Sequence, residues 1–146
     1  MVLIKPFLEE LSSKLSLKNK VIFLGFVSEL EKLELLNLAD IYVLASLREG
    51  LPFSLLEAMS TDCICLATPV GDVGRVVVEK QNGFLLEPMN PEFIARKMME
   101  VLSLSDENIT LIRNQTRKTI LDNYDFKVIV KQMIGAILDD MQQISQ

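Results

Sequence analysis

Short apolar runs rich in Val, Ile and Leu alternate along this chain with segments whose apolar positions recur at helical spacing. "VIFLG" (Val21–Gly25) reads as a buried strand that ends at a glycine. "SELEKLELLNLAD" follows as a helix. Ser28 and Glu31 have the Ser-x-x-Glu spacing of a capping box, and Leu30, Leu33 and Leu36 form its inner face. "IYVLAS" is the next strand, "FSLLEAMS" the next helix and "CICLAT" a further strand. "DVGRVVVEK" predicts a short helix, although its valines also suit a strand. After the turn signal "QNG", "FLLE" supplies the last strand. Asn90 then caps a helix with Pro91 at its first position and Ile94, Met98 and Val101 along one face. Two more helices are expected over 106–123 and 125–142.

Strands that are apolar on both faces and alternate with helices predict an α/β fold, a parallel Rossmann-like sheet with helices on both faces. The beginning of the chain fits this scheme less well. "MVLIKPFLEELSSKLSLKNK" offers one clipped strand, Val2–Ile4, and a helix from Pro6 to Leu15. A parallel sheet would more comfortably begin with another strand and helix, so the 146 residues read as a single domain cut from a longer protein.

Composition narrows the function classes. Hydrophobic residues make up 49% and charged residues 24%, enough to bury a core. The net charge of −5 argues against a nucleic-acid surface, which would concentrate Lys and Arg. There is no histidine, which removes Ser-His-Asp and Cys-His catalysis and His-ligated zinc within this chain. Cys63 and Cys65 are expected as buried reduced thiols, since residues two apart in a strand rarely close an unstrained disulfide. No apolar run reaches membrane-span length and the N-terminus lacks a signal-peptide layout, so a cytoplasmic location is expected.

The stretch "REGLPFSLLE" carries the candidate chemistry. It lies after a strand and before a helix, where parallel α/β sheets bind ligands. The Gly50-Leu51-Pro52 turn leaves the amides near Leu51, Phe53 and Ser54 at a helix start, an anion site suited to a diphosphate. Glu49 before the turn and Glu57 inside the helix can accept hydrogen bonds from sugar hydroxyls. Two carboxylates beside an anion site suit a phosphate that carries polyols on both sides. Against this stands a plainer reading. Ser54, Glu57 and Thr61 at i, i+3 and i+7 make an ordinary solvated stripe, and Glu49 beside Arg48 an ordinary surface pair.

The order of "VIFLGFVSELEKLELLNLADIYVLASLREGLPFSLLEAMS" and "ATPVGDVGRVVVEKQNGFLLEPMNPEFIARKM" resembles the C-terminal, nucleotide-sugar-binding half of the GT-B retaining glycosyltransferases of group 1 (GT4). The likeness runs from Val21 to the C-terminus, and its most specific part is Glu-x7-Glu, Glu49 to Glu57. The resemblance implies a catalytic position for Glu49, hydrogen-bonded to the donor sugar. It implies that Gly50, Leu51, Pro52, Phe53 and Ser54 hold the sugar and diphosphate through their amides, that Glu57 grips the ribose, and that Gly71 permits close packing beside the sugar. Asn82 and Gly83 match the family's turn before its last strand and read as a plain turn.

The implied donor is a nucleoside diphosphate sugar, with no further cofactor and no metal. The implied partners are an acceptor-binding N-terminal domain, absent from this chain together with the family's basic pair, and a possible homodimer. No nucleic acid and no transmembrane segment is implied. The whole enzyme would move a sugar to a hydroxyl acceptor in cell-surface polysaccharide or glycolipid synthesis, and the chain alone is expected to be inactive. Asp62, Ile64 and Arg75 depart from the family pattern, which leaves a non-catalytic α/β binding or interaction module as the alternative.

Overall fold

The computed structural model describes residues 4–144. The chain forms two compact units, residues 1–32 and 33–146, and their boundary falls within the second helix. In the first unit α1 covers Ile4–Lys14, close to the expected helix. Of the expected strand Val2–Ile4, Val2 and Leu3 lie outside the described residues, and Ile4 already belongs to α1. The strand expected over Val21–Gly25 does not form. A parallel strand exists through ladder bonds to a neighbour, and among the described residues none pairs with this stretch. Burial gives no substitute, with Ile22 81% and Phe26 98% exposed.

The capping box of α2 (Glu29–Leu38) is present in both directions. Glu31 Oε2 accepts from the Ser28 amide at 2.8 Å, and Ser28 Oγ accepts from the Glu31 amide at 3.3 Å. Its expected inner face is narrower than three leucines. Leu36 is buried against the cysteine-bearing strand, whereas Leu30 and Leu33 are exposed. The Cys63 thiol donates to the Leu36 and Ala39 carbonyls at 3.0 and 3.2 Å, tying the end of α2 to the second strand.

The second unit is built on three parallel strands in sequential order, β1 (Ile41–Leu44), β2 (Ile64–Ala67) and β3 (Phe84–Leu85). Ile41 pairs with Ile64 and Leu44 with Ala67, and Leu66 pairs with Phe84. β2 is buried on both faces because its alternate residues feed two cores. Cys65 and Ala67 pack with Leu55 and Met59 of α3 (Phe53–Ser60) and Val73 of α4 (Val73–Val76). Ile64 and Leu66 pack with Phe84, with Val101 of α5 (Pro91–Leu102) and with Ile112 of α6 (Asp106–Asn123). Fully burying each Leu, Ile, Val, Phe or Met among them contributes roughly 1.5–3 kcal/mol. The expected α/β architecture with helices on both faces is the one observed.

β3 is shorter than "FLLE" suggested, and a side chain partners its free edge. The Leu85 amide donates to Glu79 Oε2 at 2.7 Å, and only the Leu86 amide continues to Ala67 O. Asn82 and Gly83 are more than a plain turn. Asn82 is buried, accepts from the Val78 amide, and donates to Val76 O and to Thr119 Oγ1 on α6. Gly83 lies so near β2 that a Cβ would stand 2.7 Å from Cys65 O. Asn90 Oδ1 accepts from the Phe93 amide and caps α5, with Pro91 first in that helix. Helix α7 covers Phe126–Ile144.

Candidate functional site

Two loops meet beyond the carboxyl ends of the strands, residues 45–52 after β1 and residues 68–72 after β2. Their approach is as close as backbones allow. Gly71 has φ +57°, and a Cβ there would stand 2.1 Å from Glu49 O and 2.5 Å from Gly50 O, so only glycine fits. The Asp72 amide donates to Gly50 O at 2.9 Å. The fully buried Thr68 reaches the same loop from further back. Its Oγ1 donates to Ser46 O at 2.6 Å and its amide donates to Leu44 O at 3.0 Å. Ser46 Oγ in turn donates to Glu49 Oε1 at 2.6 Å.

The loop after β1 ends at Pro52, the N-cap of α3, with φ −71° and ψ 122° and no side chain capping the helix. Proline suits this place because its fixed φ turns the chain without requiring an amide partner. Pro52 O accepts from the Leu55 and Leu56 amides at 3.1 and 3.4 Å, which starts the helical ladder. The Phe53 and Ser54 amides precede that ladder, at the positive end of the helix dipole. Leu51 is half-buried against the core and anchors the turn, while the Phe53 ring is 78% exposed.

Both carboxylates bear on one place. Tyr42 on β1 donates its hydroxyl to Ser54 Oγ at 2.9 Å. The phenol is pushed above its usual pKa, chiefly by burial; the Ser54 bond pulls the other way, and the carboxylates of Glu49 and Glu57 add a smaller push upward. Glu49 and Glu57, eight residues apart in sequence, therefore act on a single hydroxyl. The stripe on α3 is not fully solvated: Ser54 and Glu57 are half-buried, and Thr61 is buried with its hydroxyl on Ala58 O.

The expected site residues are thus neighbours. Glu49, Gly50 and Gly71 share the loop contact; Pro52, Phe53 and Ser54 form the helix start; Glu57 follows one turn on. Arg75 points outward, 84% exposed, and pairs with Asp72. The two thiols are buried, and burial pushes Cys65 far above the usual thiol range. Sequence reasoning did not single out Tyr42, Ser46 or Thr68. Ser46 and Glu49 do repeat the Ser-x-x-Glu spacing of Ser28 and Glu31, a signal that was available. A cavity of about 490 Å³ lies beside the amino end of β3, between Lys80, Glu100, Asn108 and Gln115, and does not include these residues.

A parallel sheet covered on both faces, with an uncapped helix start at its carboxyl edge, is an α/β fold of the GT-B type. The chain belongs to the glycosyl transferases group 1 family, whose model matches residues 5–119. It is 28% identical over 97% of its length to an uncharacterized glycosyltransferase of Methanocaldococcus jannaschii. It is 26% identical over 82% of its length to the UDP-Gal:alpha-D-GlcNAc-diphosphoundecaprenol alpha-1,3-galactosyltransferase of Escherichia coli. The chain spans only 36% and 29% of these two relatives. Among solved structures, it is similar to the C-terminal domain of a group 1 glycosyl transferase (LpcC) from Francisella tularensis. The TM-score is 0.76 and the identity 28%, covering 86% of this chain and 64% of that one.

Proposed function

We propose that the chain is the donor-binding domain of a retaining glycosyltransferase of the GT4 type. The whole protein would move a sugar from a nucleoside diphosphate sugar to a hydroxyl acceptor. The observation that carries the reading is the seating of Gly71 on the Glu49–Gly50 peptide beside the uncapped start of α3. It fixes the Glu49–Gly50 peptide beside backbone amides that, in this reading, would meet an anion without side-chain cations.

In this reading the amides of Gly50 to Ser54 hold the diphosphate. Glu49 accepts hydrogen bonds from the donor sugar at the catalytic position, and Glu57 accepts from the ribose hydroxyls. As the sugar–phosphate bond breaks, negative charge gathers on the leaving diphosphate. Fixed amides and the helix dipole stabilise it without reorganising, together with a basic pair expected outside this chain, and no metal or other cofactor is needed. The acceptor would be held by a separate N-terminal domain. We place the reaction in cell-surface polysaccharide or glycolipid synthesis, on the cytoplasmic side and close to the membrane. The Escherichia coli relative is named for a UDP-sugar donor and a lipid diphosphate acceptor, which makes UDP the first nucleotide to test.

The test is amide chemical-shift mapping with UDP and UDP-sugars. Shifts confined to 49–57 and 70–72 are expected. Shifts centred on the cavity beside β3, with 49–57 silent, would contradict the assignment.

A further inference from the structure

Glu49 sits on a loop, yet its carboxylate is held by a chain of two hydroxyls that starts in the core. Thr68 Oγ1, in a fully buried residue just past β2, donates to Ser46 O at 2.6 Å; Ser46 Oγ donates to Glu49 Oε1 at 2.6 Å. We propose that Ser46 and Thr68 are positioning residues of the donor site, which fix the Glu49 carboxylate in one orientation with Oε1 occupied and Oε2 left to the ligand. The inference rests on the reading of Glu49 as the sugar-contacting carboxylate.

The geometry favours this over a surface hydrogen bond of little consequence. A glutamate has three side-chain torsions and loses considerable freedom when it is fixed. Here the main-chain end is fixed by Gly71, packed on the Glu49 carbonyl, and the carboxylate end by Ser46. Ser46 is itself pinned, because its carbonyl is bonded to Thr68, whose amide also holds the end of β1 at Leu44. A hydrogen bond to an ionised acceptor is among the stronger ones. The consequence is directional. With Oε1 committed to Ser46, a ligand hydroxyl meets the other oxygen at a set angle, and hydroxyls in the wrong configuration are left unpaired.

Ser46→Ala, Ser46→Thr and the unaltered chain separate the possibilities. Three-bond couplings by NMR report the side-chain rotamers of Glu49, with Glu57 as an internal control. Titration of UDP and of UDP-sugar reports whether the preference for the sugar survives. The expected result is one Glu49 rotamer in the unaltered chain, averaging in Ser46→Ala and recovery in Ser46→Thr. UDP-sugar affinity should fall roughly tenfold in Ser46→Ala while UDP affinity stays within about twofold. Glu49 couplings that do not change in Ser46→Ala overturn the inference whatever binds. An equal loss of UDP and UDP-sugar affinity also overturns it, since that is the mark of general loop damage. An unaltered chain with an ordered Glu49 that binds neither compound overturns the donor-site reading instead.

Discussion

Gly71 concentrates the constraints on this molecule into one residue. Its positive φ costs a side-chain-bearing residue roughly 1–2 kcal/mol, and the missing Cβ makes room for the Glu49 carbonyl. Gly71→Ala should lower stability by at least about 1 kcal/mol in urea unfolding and weaken nucleotide binding, because the Glu49–Gly50 peptide must move. Gly135→Ala is the contrast. That glycine lies inside α7 with nothing within 4 Å of a Cβ, so the change should stabilise the chain by about 0.5–1 kcal/mol. Similar responses at both positions would show that close approach is not what Gly71 provides. At this scale the sequence was partly legible. Glu49, Glu57 and Gly71 stood out through the resemblance, since by spacing alone the two carboxylates also fit a solvated stripe and a surface pair. Tyr42 and Thr68 did not, since a half-buried tyrosine and a strand-end threonine read as core.

At the scale of elements, the helices and central strands were legible and the edges were not. Caps and apolar periodicity are local, so Asn90–Pro91 and Ser28–Glu31 announce their helices unaided. β1 and β2 show as unbroken apolar runs, and in β2 both faces are covered. Val21–Gly25 has the same composition without a paired strand among the described residues, and pairing cannot be read from one segment.

The short β3 is held to α5 by charge. Glu79 accepts from both the Leu85 amide and Lys97, and Lys97 and Lys80 both reach Glu100. Hydrogen bonds from Lys80 and Lys97 hold Glu100 below its usual 4.5. Burial pulls Lys97 down, but its bonds to Glu79 and Glu100 outweigh that and leave it above its usual 10.5. The Glu100 contribution is complete above pH 4.5 and fades as pH falls through its lowered value; that of Lys97 is complete below pH 10.5 and fades above it. The gap in urea midpoint between the unaltered chain and Glu100→Gln should therefore be constant at neutral pH and narrow in acid. A gap that ignores pH would remove this cluster from the account.

Among the described residues, exposed apolar side chains include Phe7, Ile22 and Phe26 in the first unit and Met133, Ile137 and Leu138 along α7. Among the described residues no helix is long and apolar enough to cross a membrane, and exposed apolar patches are the kind of surface at which proteins associate. Light scattering over a range of concentrations should show self-association; a monomer throughout would count against it. The central claim is that the carboxyl edge of β1 and β2 holds a nucleoside diphosphate between Glu49 and Glu57. Calorimetric titration of UDP, GDP and ADP into this chain, with Glu57→Ala in parallel, tests it most directly. The account predicts that one nucleotide binds and that Glu57→Ala, still folded, loses it. A folded chain that binds none of the three, or a Glu57→Ala variant that binds as well as the unaltered chain, would contradict it.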